Sequence, residues 1–206
     1  SATADAGYTV ANSCRFDDVS DHYVERVWDS TGNRRTWTMS FWFKGITRVE
    51  RQFCGASATA DGTVGSNVWP GIIIGTNSST GGIQIQHYVL PPVGYVAYVD
   101  TKALIADPTA WYHCVIRWDT TQNTDTDRLR IYLNGKLQEL ITSGNYTLPA
   151  QNLDSPWNVD TYHHRIGKGG NSNGDFDGYM AEWCFIDGYS LAPTSFGEFD
   201  EDSPTI

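Results

Sequence analysis

Four side chains with oxygen ligands recur at alternate positions in the segment GGNSNGDFDGY, residues 169–179. They are Asn171, Asn173, Asp175 and Asp177. Calcium takes about six to eight oxygen ligands and tolerates irregular geometry, so one curled loop could point several of these oxygens at an ion. The segment therefore predicts calcium as a candidate cofactor. The alternative is an ordinary surface turn, which uses the same residue types.

Three aromatic side chains lie in polar, loop-like surroundings, namely Trp69, Trp157 and Tyr162. Sugar rings have flat apolar faces that stack on aromatic rings, while amides and carboxylates nearby take the hydroxyl groups. These residues are therefore candidate glycan-binding residues, and the alternative for each is local packing beneath a long loop. The tryptophans within strand-like runs are expected in the core: Trp37, Trp42, Trp118 and Trp183.

Motifs of common hydrolases and nucleotide-binding proteins do not occur in the sequence. It contains no G-x-S-x-G, no H-E-x-x-H and no phosphate-binding loop. His163 and His164 are adjacent, but neighbouring residues of a strand face opposite ways, so we do not expect them to share a metal. The motifs therefore favour a protein that is not an enzyme.

The composition favours an all-β domain, because 13% of the residues are aromatic, only 18% are charged, and turn-forming residues separate short apolar runs. The formal net charge is -10 and no basic run occurs, so nucleic acid and anionic membranes are not expected partners. No apolar stretch is long enough to predict a membrane span. The first residues, SATADAGYTV, lack the features of a signal peptide, and a chain from which one had been removed would read the same way.

Short alternating runs predict about a dozen strands in one domain, residues 1–206. The runs lie at 8–16, 22–27, 35–45, 51–57, 71–76, 82–89, 94–100, 111–119, 128–135, 136–142, 163–169 and 177–188. This spacing is typical of a two-sheet sandwich or a barrel. Asn134 and Gly135 predict a type I′ hairpin turn, and residues 191–199 predict one short helical turn.

The strand order resembles that of the laminin G-like, or concanavalin A-like, jelly roll. The resemblance rests on the runs WYHCVIRWD, RLRIYLNGKLQEL, HRIGKGG and FDGYMAEWCFIDG, between residues 111 and 188. The ends, SCRFDDVSDHYVERV and DGYMAEWCFIDGYSLAPTSFGEFDED, are similar to jelly-roll domains of bacteriophage tail-fibre and capsid-surface proteins, especially those of marine phages. The resemblance implies an antiparallel two-sheet β-sandwich with negligible helix, as part of a longer polypeptide.

The same resemblance implies a non-enzymatic domain on the virion surface that binds glycans or mediates assembly. Its partners would be glycans or other virion proteins, with a possible homo-oligomer formed through the parent chain. A secreted, extracellular domain is the alternative location. Two other functions stay open: a glycoside hydrolase or polysaccharide lyase of this fold, and a purely structural packing module of the virion.

Glucanases of this fold carry their catalytic carboxylates as E-x-D-x-(x)-E on a single strand, and retaining enzymes need the pair about 5 Å apart. The nearest match here is Glu198, Asp200 and Glu201. It lies in the acidic tail after the last strand and lacks the apolar flanks of a buried strand. We therefore do not expect this segment to be catalytic.

Glu182 lies inside the apolar run GYMAEWCFIDG. In the related jelly rolls the last strand pairs near the first, which implies that Ala181, Trp183 and Phe185 face one way and Met180, Glu182, Cys184 and Ile186 the other. A buried carboxylate needs partners. We therefore predict a structural role for Glu182, hydrogen-bonded to backbone groups or to an arginine such as Arg15 or Arg35.

The four cysteines, Cys14, Cys54, Cys114 and Cys184, lack the pair spacing of zinc sites. A free cysteine in a core behaves as a small hydrophobic residue. Phage particles assemble in a reducing cytoplasm, where disulfides rarely persist, so the resemblance favours four free thiols. A Cys14–Cys184 bridge is the alternative, since the first and last strands of a sandwich often lie side by side.

Overall fold

The computed structural model describes residues 12–19, 22–45, 50–59, 71–89, 92–141, 144–169 and 174–198. The strands are β1 (Cys14–Phe16), β2 (Val24–Val27), β3 (Thr36–Lys44), β4 (Arg51–Ser57), β5 (Gly71–Thr76), β6 (Ile83–Val89), β7 (Gly94–Thr101), β8 (Tyr112–Asp119), β9 (Leu129–Leu133), β10 (Lys136–Leu137), β11 (Leu140–Ile141), β12 (His163–Ile166) and β13 (Gly178–Asp187). Within these ranges, helix is confined to α1 (Asp125–Arg128) and a 3-10 turn (Pro193–Ser195).

The strands form two antiparallel sheets, which confirms the predicted sandwich. The first sheet has six strands in the order β1-β13-β3-β8-β9-β10, and the second has seven in the order β11-β7-β6-β5-β4-β12-β2. The last strand, β13, pairs with β1 as predicted. Among the described residues, no helix is long and apolar enough to cross a membrane.

The predicted hairpin at Asn134 and Gly135 is confirmed, since φ is 47° and 72° at these two residues. The run expected as one strand after it, 136–142, is divided between the sheets. β10 pairs with β9 in the first sheet, whereas β11 pairs with β7 in the second. The chain therefore crosses from one sheet to the other at this point.

Alternation along the strands places one row of apolar side chains between the sheets. Trp37 of β3 and Trp118 of β8 are fully buried and stack with ring centroids 5.6 Å apart. Trp183 is partly buried and stacks on Phe41 at 4.6 Å. Trp42 is not in the core, contrary to the prediction. It is one of the alternate residues of β3 that face away from the core, and it stacks on His113 at 4.8 Å on the outer face of the first sheet.

The prediction of a buried carboxylate at Glu182 is wrong, because β13 contains a β-bulge there. Ala181 pairs with Trp42 and Cys184 pairs with Ser40, so two residues of β13 oppose a single residue of β3. Glu182 is exposed and has a φ of 50°. The extra residue thus turns the carboxylate into solvent.

The bulge also changes which side chains share a face. Met180 lies in the core cluster together with the partly buried Trp183 and Phe185, rather than on the opposite face. Neither proposed arginine binds Glu182: Arg15 forms an ion pair with Asp177, and Arg35 forms one with Asp154.

The chain after β13 runs across the outer face of the first sheet. The hydroxyl of Thr38 donates to the carbonyl of Tyr189 at 2.7 Å and accepts from the amide of Leu191 at 2.8 Å. Arg117 donates to the hydroxyl of Ser190 at 3.0 Å. The predicted helical turn lies in this segment, at Pro193–Ser195. This segment therefore covers the part of the outer face of the first sheet around Thr38 and Arg117.

All four cysteines are free, as predicted. Cys14 is directly opposite Met180 in the pairing of β1 with β13, and Cys184 lies further along β13, beyond the bulge. The alternative bridge between Cys14 and Cys184 would therefore need a different strand register.

Candidate functional site

Tyrosine and glutamine side chains cover part of the outer face of the second sheet. On β6, Ile83 and Ile85 point into the core, so the alternating residues point outward. On β7, Ala97 and Val99 do the same. The surface that results, here called the tyrosine face, consists of Gln84, Gln86 and Tyr88 from β6, Tyr95, Tyr98 and Asp100 from β7, and Tyr146 from the loop after β11.

The four tyrosine rings of this face form one continuous stack. Tyr98 lies between Tyr95 and Tyr146, with ring centroids 4.9 and 5.1 Å away and planes inclined by 29° and 7°. Tyr88 meets Tyr95 edge to face at 5.1 Å. Because the faces of Tyr98 are taken by its neighbours, the stack presents ring edges and hydroxyl groups outward.

Hydrogen bonds fix the polar groups along the stack. The side-chain amide of Gln84 donates to the hydroxyl of Tyr98 at 3.3 Å, and the side-chain amide of Gln86 donates to Oε1 of Gln84. The hydroxyl of Tyr95 donates to Oε1 of Gln86 at 3.3 Å. The amides and phenols are thus preorganised by one another.

Asp100 anchors one end of the tyrosine face. It is fully buried, and its Oδ2 accepts from Asn77 Nδ2 at 2.7 Å, Thr80 Oγ1 at 3.0 Å and Tyr146 Oη at 3.0 Å. Burial, together with the hydrogen bond to Asp100, raises the pKa of Tyr146 to about 12. Tyr146 is therefore protonated at neutral pH, and its proton is held by Asp100.

A strand of small residues lies beside the tyrosine face. β5 presents Gly71, Ile73 and Gly75 on this side, opposite Tyr88, Gln86 and Gln84 of β6. A Cβ at Gly75 would lie 2.2 Å from the carbonyl oxygen of Arg51, so the position accepts no side chain. β5 is buried along its whole length, with Ile73 only 5% exposed, so this strand borders the tyrosine face without adding open surface to it.

A charged cluster lies toward the opposite edge of the second sheet, on β12 and β2. Arg165 of β12 is almost fully buried and donates to Glu25 of β2 at 2.7 Å and to Ser57 of β4 at 3.1 Å. His163 Nδ1 lies 2.9 Å from the other oxygen of Glu25. Burial tends to raise the pKa of Glu25, but hydrogen bonds from His163 and Arg165 outweigh it, and the pKa is lowered. Glu25 is therefore an ionised partner of both Arg165 and His163.

The structure corrects the glycan role predicted for Trp157. This ring is only 2% exposed and packs against His164 at 5.3 Å and Phe185 at 6.0 Å. Its loop folds over the core, so the polar residues around it in sequence do not place it at the surface. Tyr162 is half-buried immediately before β12, and Trp69 lies outside the described residues.

Two of the four candidate calcium ligands are engaged with cations. Asp175 lies 3.3 Å from Lys168 Nζ, and Asp177 lies 2.7 Å from an Arg15 nitrogen. Asn171 and Asn173 are outside the described residues. Within the described part of the chain, no group of three His, Cys, Asp or Glu side chains is placed to hold a metal. Calcium binding stays a prediction.

The tyrosine face was not predicted from the sequence, although part of its signal was present. Gln84 and Gln86 alternate with isoleucines in the run IQIQHY, which is the pattern of a strand with one polar face. The tyrosines come from two strands and a distant loop. Their meeting depends on the strand order, which alternation alone does not predict.

Comparisons with known proteins agree with this architecture. The family model described as "Concanavalin A-like lectin/glucanases superfamily" matches residues 18–188. Among solved structures, the chain is similar to the K499G mutant of the NanB sialidase from Streptococcus pneumoniae, with a TM-score of 0.52, 12% identity, and coverage of 91% of this chain and 27% of that chain. A search of curated proteins found no match.

Two further similar structures have lower TM-scores. Domains LG4-5 of the mouse laminin alpha1 chain give 0.49 at 14% identity, covering 89% of this chain and 44% of that chain. The native heptameric SAP-like pentraxin from Limulus polyphemus gives a TM-score of 0.48 at 16% identity, covering 79% of this chain and 68% of that chain. The chain thus spans about a quarter of the sialidase and less than half of the laminin chain. At these identities the likeness concerns the fold alone.

Proposed function

We propose, since the chain belongs to the concanavalin A-like lectin/glucanase superfamily, that it is a non-enzymatic domain that binds carbohydrate on its tyrosine face. The observation that carries the proposal is the preorganised row of phenol hydroxyls and glutamine amides along β6 and β7. A polyhydroxylated ligand can exchange hydrogen bonds with such groups while its apolar patches rest on ring edges.

The location of the polar surface supports the choice of this face. The outer face of the first sheet is crossed by the segment after β13, which is hydrogen-bonded to Thr38 and Arg117. Residues of that face such as Ser40 and His113 are almost completely buried. Along β6 and β7 the outer face of the second sheet carries half-buried and exposed tyrosines, with Tyr95 46% exposed.

The spacing of carboxylates on the second sheet supports a binding role over hydrolysis. Glu25 lies on β2 and Asp100 on β7, five strand positions apart in the sheet order. At about 4.8 Å for each step, these strands are roughly 24 Å apart. Glycosidases place their two carboxylates about 5 to 9.5 Å apart, so Glu25 and Asp100 could not act on one glycosidic bond.

We further propose that the domain serves on a virion surface, in a tail fibre or capsid protein. The support is the resemblance of the two sequence ends to phage jelly-roll domains. A second candidate is a structural module that packs against neighbouring chains. The exposed edge strand β2 favours it, because Val24 and Val27 are 56% and 44% exposed and an unpaired edge is a template for pairing.

Binding to immobilised polysaccharides tests the proposed function. We expect the wild-type domain to bind at least one glycan, and Gln86→Ala and Tyr95→Ala each to weaken binding about tenfold or more, because each removes a hydrogen-bonding group of the tyrosine face. Tyr189→Ala is the matched control, since Tyr189 is 65% exposed and lies outside the face, in the segment after β13. Unchanged binding by both variants would contradict the proposal.

A further inference from the structure

The hydrogen bonds of the tyrosine face leave phenol and amide oxygens that can still accept. The Tyr146 proton is held by Asp100, and the Tyr95 proton is directed at Gln86. One amide hydrogen of Gln86 goes to Gln84, and one of Gln84 goes to Tyr98. A phenol oxygen that has donated its proton can still accept a hydrogen bond. A ligand that approaches this face therefore meets phenol and amide oxygens that can accept, together with the second amide hydrogen of each glutamine.

The arginine, histidine and lysine side chains at the edges of the second sheet are already engaged. Arg165, which is 1% exposed, donates to Glu25, Ser57, the carbonyl of Thr59 and, at 3.5 Å, the carbonyl of Gly169. His163 is bound to the same glutamate. At the β7 edge, Lys102 forms an ion pair with Glu139. Recognition of carboxylate or sulfate groups relies on available cations, and these side chains offer none without breaking a pair.

Among the described residues, no cationic side chain pairs with the carboxylates near the tyrosine stack. The three side chains that donate to Asp100 are all neutral. Glu50, which immediately precedes β4, is exposed, and its charge helps to raise the pKa of Tyr95 and Tyr98, after burial and nearer polar groups. The field at the tyrosine face is therefore negative, as is the chain as a whole, with a net charge of -10.

We propose that the tyrosine face selects uncharged, hydroxyl-rich glycans and excludes acidic ones. This inference rests on the proposed carbohydrate-binding function and names its ligand class. A sugar hydroxyl donates to the phenol and amide acceptors, whereas a carboxylate or sulfate can only accept and is repelled by Asp100 and Glu50.

Matched pairs of soluble polysaccharides test the selectivity. The probes are dextran with dextran sulfate, hydroxyethyl cellulose with carboxymethyl cellulose, and agarose with carrageenan, measured by affinity electrophoresis or interferometry. We expect binding to be at least tenfold stronger for the neutral member of any pair that binds, and to change less than twofold between 0.05 and 0.5 M salt. Glu50→Gln should strengthen binding of the acidic member at low salt and leave the neutral member unaffected.

Stronger binding of an acidic member, weakened by salt and lost in Gln86→Ala, would overturn the selectivity and leave the carbohydrate site in place. Binding that is insensitive to Gln86→Ala, or no binding to any probe or immobilised glycan, would overturn the proposed function itself, and the selectivity with it. The two failures are therefore distinguishable in one set of measurements.

Discussion

The domain is expected to lose a large part of its stability between pH 7 and pH 5. His87, His113 and His164 are each at least 96% buried. Burial, with the nearby charge of Arg34, lowers the pKa of His87 to about 3. Burial also lowers the pKa of His113 and of His164 to about 4. All three side chains are therefore neutral in the folded protein at pH 5.

The sign of the effect follows from proton binding. In the unfolded chain a histidine titrates near pH 6.5, so below that pH the unfolded state binds protons that the folded state does not. Stability is complete above pH 6.5 and is lost as the pH falls toward the folded-state pKa values. At pH 5 the loss is about 2 kcal/mol for each histidine and roughly 6 kcal/mol for all three, against a typical total of about 5–15 kcal/mol.

Local contacts give a structural reason for the neutral state. His164 Nε2 accepts a hydrogen bond from the backbone N–H of Asn158 at 2.9 Å, and a protonated ring could not accept it. Glu25 and Asp119 have lowered pKa values, so the stability that their ionised forms contribute is lost only below about pH 4. The histidines therefore dominate the range between pH 6.5 and pH 5.

Urea denaturation at pH 7, 6 and 5 measures this loss. His87→Leu removes one of the three buried rings and should reduce the difference between pH 7 and pH 5 by about 2 kcal/mol. Equal unfolding free energies of the wild-type protein at pH 7 and pH 5 would contradict the expectation.

Trp157→Ala is expected to lower the free energy of unfolding by about 3–5 kcal/mol, the usual cost of removing a buried aromatic side chain. The ring packs against His164 and Phe185, and the backbone N–H of Trp157 donates to the Ser155 hydroxyl at 2.9 Å. Trp157 therefore holds its loop against the core. A residue that only stacks on a sugar would weaken binding and leave stability almost unchanged.

Trp111→Ala is the matched control, because Trp111 is 37% exposed and lies just before β8. We expect it to cost about 1 kcal/mol or less. Urea denaturation of both variants at pH 7 provides the comparison. Equal, small losses of stability for the two tryptophans would show that Trp157 is not part of the core.

The fold was predictable from sequence because each strand of a sandwich has one buried face, which gives an alternating pattern. The Asn134-Gly135 hairpin was predictable because it depends on local turn chemistry. The pairing of β13 with β1 was predictable from the family resemblance. The bulge at Glu182 was not, because an extra residue in a strand leaves no mark in composition. It reversed the facing assigned to Met180.

The candidate site was much less predictable. Trp157 has polar neighbours in sequence, yet its loop folds over the core, and only tertiary structure decides which aromatic residues in loops are buried. The tyrosine face joins residues of β6 and β7 to Tyr146, which is nearly fifty positions further along the chain than Tyr98. Sequence patterns predict which way a strand residue points, but not which distant loop reaches it.

The most direct test of the central claim is to locate a bound neutral oligosaccharide by NMR on the 15N-labelled domain. The ligand is the neutral oligosaccharide that corresponds to the polysaccharide bound most tightly in the paired screen. We predict the largest chemical-shift changes at the side-chain amides of Gln84 and Gln86 and at backbone amides of β6 and β7. Changes confined to residues 174–178 or to the surroundings of Tyr162, with both glutamine side chains unaffected, would contradict the assignment of the binding site to the tyrosine face.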